Sequence, residues 1–312
     1  MLKKNSKIYI AGHKGLVGSS ILRNLLNKNY KNIITRTKSQ LNLTNQKKVF
    51  DFFNKEKPEF VIIAAAKVGG ILFNKNNKAE FINENLLIQT NIIHCSYLVG
   101  VKKLIFLGSS CVYPRNCKQP IKEDYLLSGK LEETNDAYAI AKIAGIKMCE
   151  SYNHQYKTNF ISLMPTNTFG PNDNYDENNS HFLPALIKKI HKLKFNKKNK
   201  LLIWGNGLAK RELIYVDDLA NACIYFLKKK VHHTLINIGT GKDFTIKYYA
   251  KLICKIICPD KKITFVYDKS KPNGTPRKVL NIAVAKNYGW KSKFDLYSSL
   301  KLTYKNFLKI DQ

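Results

Sequence analysis

The sequence predicts an α/β protein built on a doubly wound parallel sheet, and three observations predict it. A short apolar strand, Lys7 to Ala11, runs directly into a glycine turn and then a helical pattern. Strand-sized apolar runs go on alternating with helical patterns through the first half of the chain. The chain has 312 residues, 44% of them hydrophobic, enough for one large or two modest domains with a real core.

The glycine turn is Gly12-His13-Lys14-Gly15-Leu16-Val17-Gly18, and Leu22, Leu25 and Leu26 carry the helix behind it. Its spacing is G-x-x-G-x-x-G rather than G-x-G-x-x-G. The glycines let the backbone approach a pyrophosphate, and the helix start offers N–H groups and a partial positive charge. Such an opening is Rossmann-type, although turns without a nucleotide also collect glycine. The next strand, Ile33 to Thr35, ends at Arg36-Thr37-Lys38. An NAD-preferring site has an acidic residue near this point for the ribose hydroxyls. Here Arg36 and Lys38 stand instead, with Lys14 in the turn. Cations suit a 2′-phosphate, so the pattern points to NADP(H); in so basic a chain they also read as solvated surface charge.

Thr44 is expected to cap a helix through Val49, Phe52 and Phe53. Phe60 to Ala66 reads as a buried strand, Phe81 to Leu98 as a helix, and Lys103 to Leu107 as a strand. A long helix begins at about Ala137, and Asn159 to Met164 is a further strand. Ligands of such a sheet sit beyond the carboxyl ends of its strands. After Pro165 the pattern breaks. Gly170 to Ser180 reads as a loop, Phe182 to Leu193 as a basic helix, Lys194 to Lys200 as an exposed charge run and Leu201 to Gly205 as a strand. The segment from Arg211 leads into a helix capped by Asp217 or Asp218. Leu235 to Ile238 returns to the sheet as a strand. Residues 1–165 and 211–242 are therefore expected to form the nucleotide-binding domain. Residues 166–210 and 243–312 are expected to form a smaller, discontinuous α/β lobe.

Composition excludes several classes. No apolar run approaches the roughly 20 residues that span a bilayer. The basic start is followed by too short an apolar stretch for a secretory signal, so a soluble cytoplasmic protein is expected. Seven cysteines without a C-x-x-C pair argue against a disulfide framework or a bound metal. The net charge of +31 suits a nucleic-acid binder. However, the lysines are spread along the chain with many Asn and Ile, and no nucleic-acid motif is visible.

The chemistry gathers after the strand ending at Leu107. Gly108-Ser109-Ser110-Cys111 follows it, and Tyr138-Ala139-Ile140-Ala141-Lys142 lies downstream in a helical pattern. Tyr138 and Lys142 are four apart and share a helix face. A tyrosine with pKa near 10 is poorly matched to neutral proton transfer, and an ammonium one turn away is expected to lower that value. With 17 tyrosines and abundant lysine, such a pair also arises by chance. Taken alone, Cys111 reads as a small hydrophobe and His181 as a polar loop residue.

These motifs resemble the extended short-chain dehydrogenase/reductase family. Longer stretches resemble, within it, the GDP-L-fucose synthase family: Ala64 to Ile71, Gly108 to Cys111, Tyr138 to Gly145, Met164-Pro165-Thr166-Asn167, Asn179-Ser180-His181, Gly239-Thr240-Gly241 and Lys271 to Lys278. The likeness covers nearly the whole chain in order. It implies an NADP(H) enzyme that epimerises C3 and C5 of GDP-4-keto-6-deoxy-D-mannose and reduces C4. It implies Cys111 as base, His181 as acid, and Tyr138 as proton donor to the C4 oxygen, assisted by Lys142 and Ser109. The cofactor would be held by Gly12 to Gly18, Arg36, Lys38, Leu107 to Ser110, Lys142, Pro165 to Asn167 and His181. The GDP-sugar would be held by Lys189, Trp204, Arg211 and Asn273. Lys189 stands where the family has arginine and Asn273 where it has aspartate; Trp204 also reads as a core aromatic. A homodimer is implied as well. Two other readings remain. One is a dehydratase or 4-epimerase with tightly held NAD, although the acid pair usual in dehydratases is missing at Cys111. The other is a silent NADPH-binding regulator, although this chain keeps Tyr138 and Lys142.

Overall fold

The alternation of strand and helix folds into a six-stranded, all-parallel sheet. The computed structural model describes residues 2–176, 180–270 and 274–310. In chain order the first half gives β1 (Ile8–Ala11), α1 (Leu16–Asn27), β2 (Ile33–Thr35), α2 (Gln46–Glu56), β3 (Phe60–Ile63), α3 (Ile71–Asn76), α4 (Lys78–Leu98), β4 (Lys103–Leu107), α5 (Asp136–Tyr156) and β5 (Phe160–Pro165). The second half gives β6 (Asn167–Phe169), α6 (Phe182–Phe195), β7 (Lys200–Trp204), β8 (Lys210–Tyr215), α7 (Val216–Lys228), β9 (Leu235–Ile238), β10 (Asp243–Thr245), α8 (Ile246–Ile257), β11 (Thr264–Asp268), β12 (Arg277–Lys278), α9 (Ala283–Asn287) and α10 (Leu296–Ile310).

The large sheet runs β2-β1-β3-β4-β5-β9. Its winding reverses at β1, whose neighbours are β2 and β3, so the switch-point crevice lies beyond Ala11 and Ile63. Successive strand residues face opposite sides, which gives the sheet two cores. Tyr9 and Ala11 pack with Phe53 of α2, Ile92 of α4 and Ile146 of α5. Ile8 and Ile10 pack with Ile21 of α1 and with Leu219 and Cys223 of α7. Both faces are covered, so the strands read as unbroken apolar runs without alternation.

A smaller sheet joins β8 to β10, β12 and β6, and a two-stranded ladder pairs β7 with β11. Their core holds Ile187 of α6, Tyr249 and Ile253 of α8, and Phe307 of α10. Strand β8, expected within the nucleotide domain, pairs in this smaller sheet, whereas α7 and β9 stay with the large one. Past Lys278 the chain crosses back: Leu280 and Ile282 enter one core of the large sheet, and Ala285 and Trp290 the other. An apolar segment between two lobes buries itself wherever a sheet face is still uncovered, and sequence order alone does not say where that is.

Three local expectations shift. Asn45, not Thr44, caps α2, its Oδ1 accepting from Lys48 N at 2.9 Å, while Thr44 Oγ1 donates to Asn42. β3 stops at Ile63, three residues short of the expected end at Ala66, because its partner β1 ends at Ala11. Helix α7 starts at Val216 with Tyr215 in the capping position, so neither aspartate caps it. Asp217 accepts from Arg23 at 2.5 Å, tying α7 to α1. Asp218 accepts from the backbone of Lys293 at 2.8 Å and Phe294 at 3.0 Å, tying α7 to the approach to α10.

Candidate active site

The turn after β1 fits a dinucleotide phosphate group. Gly12 has φ +86°, and a Cβ there would stand 2.6 Å from the backbone nitrogen of Ala65, just past β3. A Cβ on Gly18 would stand 2.1 Å from the carbonyl oxygen of Gly12, so only glycine closes this turn. Helix α1 begins at Leu16 with no side-chain cap on Gly15 and no acidic residue in its first turn, which leaves its N–H groups for an anion. Lys14 is exposed at the turn. His13 Nδ1 is buried without a protein hydrogen-bond partner. Glycine cradle, free helix start and orphan nitrogen all suit a bound dinucleotide.

β4 and α5 bring the next group together. Lys142 is buried and its Nζ donates to the carbonyl oxygen of Leu107 at 2.8 Å. Burial pushes Lys142 down to about 7. Its Nζ lies 5.9 Å from the Tyr138 ring centre. Burial raises the Tyr138 phenol above its ordinary value, Cys111 raises it further, and hydrogen bonding with Ser109 acts the other way. The expected acidification by Lys142 is therefore reversed: the cost of burying a phenolate, with Cys111 adding to it, outweighs the hydrogen bond with Ser109. Ser109 Oγ also accepts from the backbone nitrogen of Cys111 at 3.2 Å and caps the short turn Ser110–Val112.

Cys111 lies in the same cleft. Burial pushes its thiol up, but the Lys278 ammonium, the Ser109 hydroxyl and Arg211 together hold it below the ordinary thiol value. Lys278 Nζ stands 3.5 Å from its Sγ. His181 occupies the capping position of α6. Its own surface is open, yet the surrounding protein withdraws solvent, and with Lys278 this lowers its proton affinity.

The sequence model of the NAD dependent epimerase/dehydratase family matches residues 8–239. The chain belongs to this family. It is 48% identical to a protein named putative GDP-L-fucose synthase 2 from Arabidopsis thaliana, over 99% of this chain and 94% of that one. It is 44% identical to the GDP-L-fucose synthase of Escherichia coli K12, over 97% of each. Among solved structures, the GDP-mannoheptose C4 reductase of Campylobacter jejuni with NADP bound superposes with a TM-score of 0.91, at 39% identity over 99% of this chain and 100% of that one.

Other candidate residues of this family member are held less simply. Arg36 is half-buried and donates to Glu56 Oε1 at 2.7 Å and to its neighbour's carbonyl at 2.8 Å, with Phe52 beneath it, whereas Lys38 is exposed. Thr166 Oγ1 and Asn167 Nδ2 each donate to the carbonyl of Glu212 at 3.1 Å, so both side chains hold β8 against the segment that leaves β5. Lys189 Nζ lies over the Trp204 ring at 5.4 Å. Arg211 donates to Thr275 O at 2.5 Å and lies alongside Cys111. Asn273 and Asn179 fall outside the described residues.

Two residues were not singled out by sequence. Lys278 is one cation among 53 lysines and arginines, and only its place in the Lys271 to Lys278 motif marks it. Glu212 is fully buried; its carboxylate accepts from the backbone of Thr240, Gly241 and Leu280, fastening the Gly239-Thr240-Gly241 turn to β8. No group of metal-ligating side chains, and no helix long and apolar enough to cross a membrane, occurs among the described residues.

Proposed function

We propose that the protein is a cytoplasmic NADP(H)-dependent epimerase–reductase that converts GDP-4-keto-6-deoxy-D-mannose to GDP-L-fucose. The observation that carries this reading is a thiol beside an ammonium, Cys111 with Lys278, in one cleft with Ser109, Tyr138 and His181. Hydride transfer to C4 by itself calls for no base at this position, whereas epimerisation does. Hydrogens at C3 and C5 flank a ketone, so losing either as a proton gives an enolate stabilised by the C4 oxygen. Inversion needs a base on one face and an acid on the other. Cys111 takes the proton and His181 returns one.

Bound NADPH supplies the hydride for C4. Ser109 holds the C4 oxygen and Tyr138 gives it a proton. A phenol that keeps its proton at neutral pH suits the reductive direction. Lys142, anchored on Leu107, orients the cofactor ribose and replenishes the phenol. The Gly12 to Gly18 turn takes the pyrophosphate, Arg36 and Lys38 the 2′-phosphate, and residues 107–110, 165–167 and His181 border the nicotinamide. Lys189, Trp204, Arg211 and Asn273 hold the GDP moiety. The net charge of +31 serves such phosphorylated ligands. We propose a homodimer through α4 and α5, which expose Leu87, Leu98 and Tyr156.

A second reading is a GDP-sugar C4 reductase without epimerisation, favoured by the likeness to the heptose reductase. The test is absorbance at the NADPH band with GDP-4-keto-6-deoxy-D-mannose, repeated with NADH. Rapid oxidation of NADPH and slow oxidation of NADH is the expected result. No oxidation of either sinks both readings.

A further inference from the structure

Lys278 lies on β12 in register with Arg211 of β8. Its Nζ reaches Cys111 at 3.5 Å, and no carboxylate among the described residues pairs with it. The groups facing Cys111 are Lys278 and Arg211 from the small sheet, Ser109 from the turn after β4, and Tyr138 from α5. The charge of the same ammonium lowers the proton affinity of His181, ahead of α6. Glu132 acts on Arg211 but is itself held by Arg115 at 3.3 Å. The cation in contact with the thiol is thus also one whose charge bears on His181.

We propose that Lys278 is the positioning residue of the inversion: its ammonium holds Cys111 as an aimed thiolate and couples that charge to His181. This rests on the roles proposed above for Cys111 and His181. The coupling follows from charge balance. When the thiolate takes the proton, the C–H bond breaks, an S–H bond forms and the electron pair passes into the enolate. Lys278 then loses its counter-charge, so the cleft turns more positive and His181 releases its proton more readily. That N–H bond breaks as a new C–H bond forms on the opposite face. Proton exchange with water restores thiolate and imidazolium before the next inversion.

The test is the pH dependence of Cys111 alkylation by iodoacetamide in the free enzyme, followed by peptide mass spectrometry. Wild type, Lys278→Met, Lys278→Gln and Lys278→Arg are compared, with melting temperature as a check on folding. Wild type should inflect below the ordinary thiol range. In the neutral variants the inflection should rise and the rate at pH 7 fall about tenfold, as for the loss of one close charge. Lys278→Arg should restore most of it. An unmoved inflection in Met and Gln overturns the proposal; so does an equal rise in Arg, which reports lost packing. No sugar is needed, so this result fails or stands separately from isotope exchange by Cys111→Ser, which tests the base itself.

Discussion

Lys142 Nζ donates to the carbonyl oxygen of Leu107 at 2.8 Å, so the second turn of α5 is fastened to the last residue of β4. This link brings Tyr138 and Ser109 into one cleft. It also buries an amine whose folded value falls to about 7. Between about 7 and the ordinary lysine value, the unfolded chain holds a proton on this group that the folded chain does not. Stability from this group therefore rises with pH across that window. In urea unfolding, wild type should gain on Lys142→Met as pH goes from 7 to 10. A difference that is flat with pH refutes the burial assigned to this amine.

Tyr138→Phe should separate the two halves of the reaction. Hydride transfer should fall by roughly a hundredfold or more, the usual scale for losing a positioned acid. Solvent deuterium uptake at C3 and C5 should persist, because Cys111 and His181 are untouched. Loss of both activities together would mean that the phenol takes part in inversion.

Arg36 should favour the phosphorylated cofactor despite its bond to Glu56. Arg36→Ala should raise KM for NADPH about tenfold, the scale of one charge-assisted hydrogen-bonded contact, and move KM for NADH far less. Equal rises would place the 2′-phosphate elsewhere.

Gly239→Ala tests the buried carboxylate. Its new Cβ would stand 2.3 Å from Glu212 Oε1, which already accepts from Thr240 and Gly241. A loss of about 1–3 kcal/mol is expected, as for other overpacked sites, read by chemical denaturation. An unchanged midpoint would show that this turn yields freely.

Much of this was legible in sequence. β1, its glycine turn and α1 could be read because a buried strand, a closed turn and an amphipathic helix each leave a local signature. Tyr138 and Lys142 could be paired because helical spacing fixes their shared face. The sign of the Tyr138 shift could not, since it depends on how deeply the phenol itself is buried. Lys278 meets Cys111 across 167 positions. Such a contact is set by pairing of β12 with β8, and no local pattern announces it. The return of residues 280–290 to the large sheet was hidden for the same reason.

The most direct test of the central claim is the reaction run in deuterium oxide with NADPH and GDP-4-keto-6-deoxy-D-mannose, with the product examined by proton NMR. The account expects GDP-L-fucose carrying deuterium at both C3 and C5 and protium at C4 delivered by the cofactor. A C4-reduced product with protium retained at C3 and C5, and the starting configuration at both, would contradict it.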